Sequence, residues 1–211
     1  MVIKKILFLG KPEAGKTTLR KFFFESVPAE KLMEESEPPT VGLKYKNYNY
    51  LTTLPGSEEG EQGEKIPVSL SVVDSAGQNL NDWLESRKER VFPGADIIFF
   101  IFDITDWEQA DSKKEIQDLI MLIYNRRVEL ANESSFYILA HKFDKISKEK
   151  NDLKVEKMKK RIKKELNDYV FDKMMKFLDF DVYITSITKE YEHDCFLTLL
   201  NLTTDLMARI H

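Results

Sequence analysis

Short apolar runs recur along the chain at Ile3–Leu9, Val68–Val73, Ile97–Phe102, Phe136–Ala140 and Asp181–Ile184, with helical patterns between most of them. A run without polar alternation predicts a strand covered on both faces, and strands alternating with helices predict a parallel sheet flanked by helices on both sides. Leu43–Leu51 breaks the pattern. Its Tyr, Asn and Lys alternate with few strong hydrophobes, which predicts an edge strand with one wet face, forming a hairpin with the strand that ends at Val73. Between the two, Pro55–Glu64 is rich in Gly and Glu and reads as a solvated loop. Thr17–Phe24 reads as the first turns of a helix. From Lys148 to Lys176, Leu153, Val155, Met158, Ile162, Leu166, Val170 and Met174 form one apolar stripe, so one long amphipathic helix is expected, and a last helix lies near Leu197–Ile210. With no internal repeat and no linker between two cores, residues 1–211 are expected to form one α/β domain around a mostly parallel six-stranded sheet with one antiparallel edge strand.

Composition narrows the chemistry. Acidic and basic residues nearly cancel, 36 against 32, which argues against bulk binding of nucleic acid. The basic cluster Lys157, Lys159, Lys160, Arg161, Lys163 and Lys164 is diluted by interleaved Glu and Asp and reads as a solvated helix face. Cys195 is the lone cysteine, so an internal disulfide and a cysteine-rich metal site are excluded, and a reducing, cytoplasmic setting suits the chain. His141, His193 and His211 are too dispersed for a zinc site, with His193 and His211 expected at the surface. Trp83 and Trp107 are expected to pack against the domain. No apolar run approaches the roughly 20 residues that span a bilayer. Val2 stands where myristoylation needs glycine and no cysteine is placed for prenylation, so any membrane contact is expected to come through a partner.

The strongest chemical signal is Gly10-Lys11-Pro12-Glu13-Ala14-Gly15-Lys16-Thr17, which fits G-x-x-x-x-G-K-[ST] and lies between a predicted strand and a predicted helix. In that setting the loop Glu13, Ala14, Gly15, Lys16, Thr17 and Thr18 wraps backbone N–H groups around a phosphate and aims a helix N-terminus at its charge. Lys16 reaches the β and γ phosphates, and the Thr17 hydroxyl ligates Mg²⁺. Roughly 60 residues on, directly after an apolar strand, Asp74-Ser75-Ala76-Gly77-Gln78 fits D-x-x-G-Q. An acid there holds Mg²⁺ through water, Gly77 lets its N–H approach the γ-phosphate, and Gln78 orients an attacking water.

Ala140-His141-Lys142-Phe143-Asp144 follows the strand at Phe136–Leu139 where guanine-binding proteins carry N-K-x-D. A carboxylate at Asp144 accepts two hydrogen bonds from the guanine ring N–H and exocyclic amine, which adenine cannot supply, so a buried acid rejects ATP. Lys142 lies along base and ribose, and His141, in place of Asn, still hydrogen-bonds the phosphate loop. Thr185-Ser186-Ile187, after the last strand, fits the loop whose backbone N–H receives the guanine oxygen, with Ser186 the expected donor beside Ile187.

With these motifs in place the chain resembles the Ras-like superfamily of small GTPases over essentially its whole length. Within it the chain is similar to the Rag/Gtr family, on the His-Lys-x-Asp variant at 141–144 and the triplet at 185–187. Pro39-Thr40-Val41-Gly42 is similar to switch I of Arf-like proteins, the second choice of subfamily. The resemblance implies a three-layer P-loop G domain that binds GTP and GDP and hydrolyses GTP with Mg²⁺. It also implies effector, GTPase-activating and exchange-factor partners, and dimerisation with a related GTPase. By it Thr40 is the switch threonine, its hydroxyl on Mg²⁺ and its N–H on the γ-phosphate, and residues 78–92 are switch II. Lys16, Thr40 and Gln78 are then the catalytic set.

Departures from the pattern bear on these expectations. Pro12 fixes φ and removes one donor from the phosphate loop. The helix near Leu197–Ile210 is expected to leave no room for the C-terminal dimerisation domain that Rag proteins carry, and no amphipathic helix is expected before the first strand for an Arf-like membrane mechanism. Where some GTPases carry an arginine two residues before the switch threonine, this chain has Pro38. The nearest switch I cation is Lys31, while Arg87, Lys88 and Arg90 follow switch II. Pro12 and His141 motivate a rival reading, a non-hydrolysing nucleotide-bound interaction module, against which Gln78 stands. An ATPase is the poorer third reading.

Overall fold

The computed structural model describes residues 2–34, 38, 42–53, 65–75, 80–178 and 180–208. Six strands, β1 (Val2–Gly10), β2 (Leu43–Thr53), β3 (Lys65–Ser75), β4 (Ile97–Asp103), β5 (Ser135–His141) and β6 (Asp181–Ile184), form one sheet in the order β2-β3-β1-β4-β5-β6. Only β2 and β3 pair antiparallel, with Lys44 opposite Asp74 and Asn49 opposite Ser69; the other neighbours run parallel. The half-polar edge strand and its hairpin partner are thus where the alternation of Leu43–Leu51 placed them, although both strands are longer than their apolar segments. The Gly- and Glu-rich stretch 55–64 lies outside the described residues.

Both faces of the sheet are covered. Along β1 the wholly buried Ile6 and Phe8 point to one side and Leu7 and Leu9 to the other, the period-two split that a strand sandwiched between two helical layers requires. On the Leu7 side lie α3 (Leu80–Glu85), α4 (Lys88–Val91), α5 (Ala110–Leu130) and α6 (Asp152–Met174), contributing Trp83, Ile116, Ile120, Ile162, Leu166 and Val170 to one core. On the Ile6 side lie α1 (Lys16–Phe24), α2 (Ala29–Glu34) and α7 (Glu192–Ala208), contributing Leu19, Leu32, Cys195, Leu199 and Leu202 to a second. Fully burying each such aliphatic side chain is worth about 1.5–3 kcal/mol, so the two cores supply most of the drive to fold.

The long helix is shorter than the segment Lys148–Lys176 in which it was expected. It starts at Asp152, where the Asn151 side chain accepts the Lys154 N–H at 2.9 Å as an N-cap, and it ends where Met175 turns left-handed. Leu153, in the first turn, is 78 % exposed and does not belong to the buried stripe. Trp107 lies in a 3₁₀ turn (Ile104–Glu108), wholly buried, with its indole N–H donating to Glu165 Oε2 at 3.0 Å. His193 is exposed, while Cys195 is a buried free thiol that burial pushes up to about 12. Among the described residues no helix is long and apolar enough to cross a membrane, and no cluster of His, Cys, Asp and Glu is arranged to hold a metal.

Candidate functional site

The C-terminal ends of the parallel strands β1, β4, β5 and β6 open on one edge of the sheet, where ligands of doubly wound α/β folds collect. The phosphate loop leaves β1 at Gly10. A Cβ there would stand 2.0 Å from the Ile101 carbonyl oxygen of β4, so the strand end can pack this closely only without a side chain. The loop then enters α1 through Gly15, which is left-handed (φ 95°) and offers no side-chain cap, leaving the first N–H groups of the helix to face the loop.

Lys16 is 6 % exposed, and its ammonium arches back over the loop to donate to Gly10 O at 3.0 Å and Lys11 O at 2.7 Å. Its charge is therefore held inside the concavity by the backbone that forms it. Thr17 and Thr18 are half-buried at the start of α1, and Ala14 is buried. Pro12 and Glu13 are exposed at the loop's lip, Glu13 at φ 60°, a left-handed conformation that costs a non-glycine residue about 1 kcal/mol.

The β5 end supplies the second half of the site. His141 is 2 % exposed and its Nδ1 lies 3.0 Å from Thr185 Oγ1, just beyond β6. Burial, reinforced by the Lys142 charge, pushes the imidazole down to about 3, so it is neutral at physiological pH. Lys142 follows in left-handed conformation (φ 64°, ψ 42°), and its ammonium donates to the Glu13 carbonyl oxygen at 2.5 Å. The base-type loop and the phosphate-type loop are thus joined directly.

Asp144 sits in a 3₁₀ turn (Phe143–Lys145) pinned by the buried Phe143 and by the Phe143 N–H to Thr185 O hydrogen bond of 3.2 Å. It is half-buried rather than buried as the base-selection argument assumed. The Ser186 hydroxyl donates to Asp144 Oδ1 at 2.5 Å and is itself within 3.2 Å of Thr188 Oγ1. Ser186 therefore orients the carboxylate through its side chain, a role its sequence position did not suggest. Ile187, beside it, is buried in the α7-side core.

The structure brings Glu13, Ala14, Gly15, Lys16, Thr17 and Thr18 to one side of this cleft and His141, Lys142, Asp144 and Ser186 to the other. Thr40, Gly77 and Gln78 lie outside the described residues, as does the side chain of Asp74. The backbone of Asp74 pairs with Phe8, two residues before the loop begins, at the same end of the sheet. Sequence reasoning passed over Asp103 at the end of β4, which pairs with Lys142 and Lys145. The signal was there, since Asp103-Ile104-Thr105 after an apolar strand is an Asp-x-Thr turn signature.

Comparison with known proteins agrees with this layout. The family described as the Gtr1/RagA G protein conserved region matches residues 5–209. Among curated proteins the chain is 22 % identical over 151 residues to Ras-related GTP-binding protein A of Dictyostelium discoideum, covering 71 % of this chain and 44 % of that protein. It is 21 % identical over 160 residues to GTP-binding protein gtr1 of Schizosaccharomyces pombe, covering 74 % and 45 %. To Ras-related GTP-binding protein B of Rattus norvegicus it is 20 % identical over 165 residues, covering 71 % and 43 %. The chain thus spans less than half the length of these relatives. Identity this low carries little alone, but the family match runs through both cores, the phosphate loop and the His-Lys-x-Asp turn, and the chain belongs to the Gtr1/RagA G protein family.

Proposed function

We propose that the chain is a guanine-nucleotide switch that binds GTP and hydrolyses it to GDP and phosphate with Mg²⁺. The observation that supports this most is the junction of the two loops: Lys142 donates to Glu13 O at 2.5 Å, and the His141 ring lies against Gly15. One ligand that carries phosphates at one end and a base at the other fits such a junction, and Asp144 supplies the acceptor that selects guanine over adenine.

The residues present suit Mg²⁺. Thr17 at the start of α1 and, by the family's pattern, Thr40 and Asp74 offer only hydroxyl and carboxylate oxygens, the hard donors that this ion takes. These oxygens would hold Mg²⁺, which would supply positive charge to offset that of the phosphates. The buried Lys16 ammonium adds a second charge whose position the loop carbonyls already hold, so little reorganisation is needed as negative charge develops. Gln78 orients water for in-line attack on the γ-phosphate, the Thr40 N–H senses that phosphate, and no covalent intermediate forms.

A non-hydrolysing, nucleotide-bound interaction module is the second reading. It is favoured by Pro12, which offers the loop no N–H, and by the neighbouring left-handed Glu13. Either reading takes effector and exchange-factor proteins as partners, and the first adds a GTPase-activating protein. Mass spectrometry of the nucleotide retained on purification, followed by single-turnover hydrolysis of the parent and of Gln78→Leu, separates the two. The switch reading expects guanine nucleotide and a rate that falls in the variant while GTP affinity holds. Equal rates in both proteins favour the module.

A further inference from the structure

We propose that Asp103 is a positioning residue of the nucleotide site, acting through Lys142 to fix the lysine that links the two loops. This inference rests on the guanine-nucleotide reading of the site. Asp103 ends β4, paired in register with His141 of β5, so its side chain rises beside the His-Lys-x-Asp turn. The two carboxylate oxygens have separate tasks. Oδ1 accepts the Thr105 N–H at 3.1 Å and the Thr105 hydroxyl at 2.7 Å, which locks the rotation of the carboxylate. Oδ2, thereby aimed, accepts Lys145 Nζ at 2.6 Å and lies 3.1 Å from Lys142 Nζ.

Lys142 is the partner with a function to serve. Its head is held between Asp103 Oδ2 and Glu13 O, and its backbone is left-handed. A lysine stem carries several freely rotating bonds, and lying along a base in one conformation costs that freedom unless something fixes the end of the chain. Asp103, whose side chain is 13 % exposed, provides that fixed point and Glu13 O the other. Burial opposes its ionisation, but Lys145, Thr105 and Lys142 outweigh burial and hold the carboxyl at about 2, so it stays charged throughout the physiological range.

The alternative is that Asp103 only caps its own turn, and Asp103→Asn separates the two. The amide oxygen can keep both Thr105 hydrogen bonds, while the amide nitrogen turns a donor toward the lysines. Release of a fluorescent GDP analogue in Mg²⁺ would be timed for the full chain, Asp103→Asn, Lys142→Met and the double variant. Losing a charge-assisted anchor should speed release on the order of ten-fold in either single variant. The double variant should then release no faster than Lys142→Met alone. In a Lys145→Ala background the Asp103→Asn effect should persist. Unchanged release in Asp103→Asn, or effects of Asp103→Asn and Lys142→Met that multiply, would overturn the proposal. Failure of the parent to take up the analogue would overturn the nucleotide reading itself, and this inference with it.

Discussion

The His141 ring occupies the space into which a Cβ on Gly15 would project, with Cδ2 2.5 Å and Nε2 3.0 Å from that point. Gly15 is also left-handed, so the phosphate loop passes the base-type turn only because one residue has no side chain and the other is a flat ring. Gly15→Ala therefore meets both a contact and a strained φ.

The buried ring makes stability depend on pH in a window that opens above that of Glu25 and overlaps it only below about pH 4.5. Its folded pKa, about 3, is below the ordinary value of 6.5, so the unfolded chain binds a proton that the folded chain refuses. The stability contribution is fully present above pH about 6.5 and is lost as pH falls toward 3, by about 1.4 kcal/mol per unit at most. Glu25 acts only lower. Burial opposes its ionisation, but Lys46, Tyr48 and Arg20 hold it at about 2 against an ordinary 4.5, so its contribution fades only as pH falls from about 4.5 to 2. Urea unfolding between pH about 7 and 5 should show a slope in the parent that His141→Asn removes; the same slope in both proteins would assign it elsewhere.

The Ser186 hydroxyl sets the Asp144 carboxylate, and the two substitutions should rank accordingly. Asp144→Ala removes a charged acceptor of two hydrogen bonds and should weaken GDP binding by about 3–6 kcal/mol. Ser186→Ala leaves the acceptor but frees its orientation, for about 1 kcal/mol. Calorimetry with GDP checks both, and a Ser186→Ala loss as large as that of Asp144→Ala would mean that Ser186 contacts the nucleotide by more than its backbone.

Turnover of the isolated chain should be slow, below roughly 0.01 per second, if no arginine of its own reaches the transferring phosphoryl group. Pro38 stands where a built-in arginine would be, and Arg87 is already engaged, its guanidinium 4.6 Å over the Trp83 ring and 3.2 Å from Asp82. Multiple-turnover assays should give the same slow rate for the parent and Arg87→Ala. A rate near one per second that is lost in the variant would show Arg87 reaching the phosphates.

Much of this was legible in the order of residues. The apolar runs from Ile3, Val68, Ile97, Phe136 and Asp181 became parallel strands because a strand sandwiched between helical layers tolerates nothing else, and the motif spacing placed both loops at their C-terminal ends. Contacts between distant segments were not legible. Asp103 and Lys142 are 39 positions apart and meet only through the register of β4 and β5. The Ser186 hydroxyl reaching Asp144 depends on a rotamer that no motif encodes. The start of α6 is set by a local cap at Asn151, and Leu153, counted in the apolar stripe, is exposed in its first turn.

Whether one guanine nucleotide spans the phosphate loop and the Asp144 turn is read by calorimetric titration of the nucleotide-free chain with GDP and with ADP in Mg²⁺. Two hydrogen bonds to a charged acceptor, available from guanine alone, predict GDP binding tighter by at least about a hundredfold. Equal affinities, or tighter binding of ADP, would contradict it.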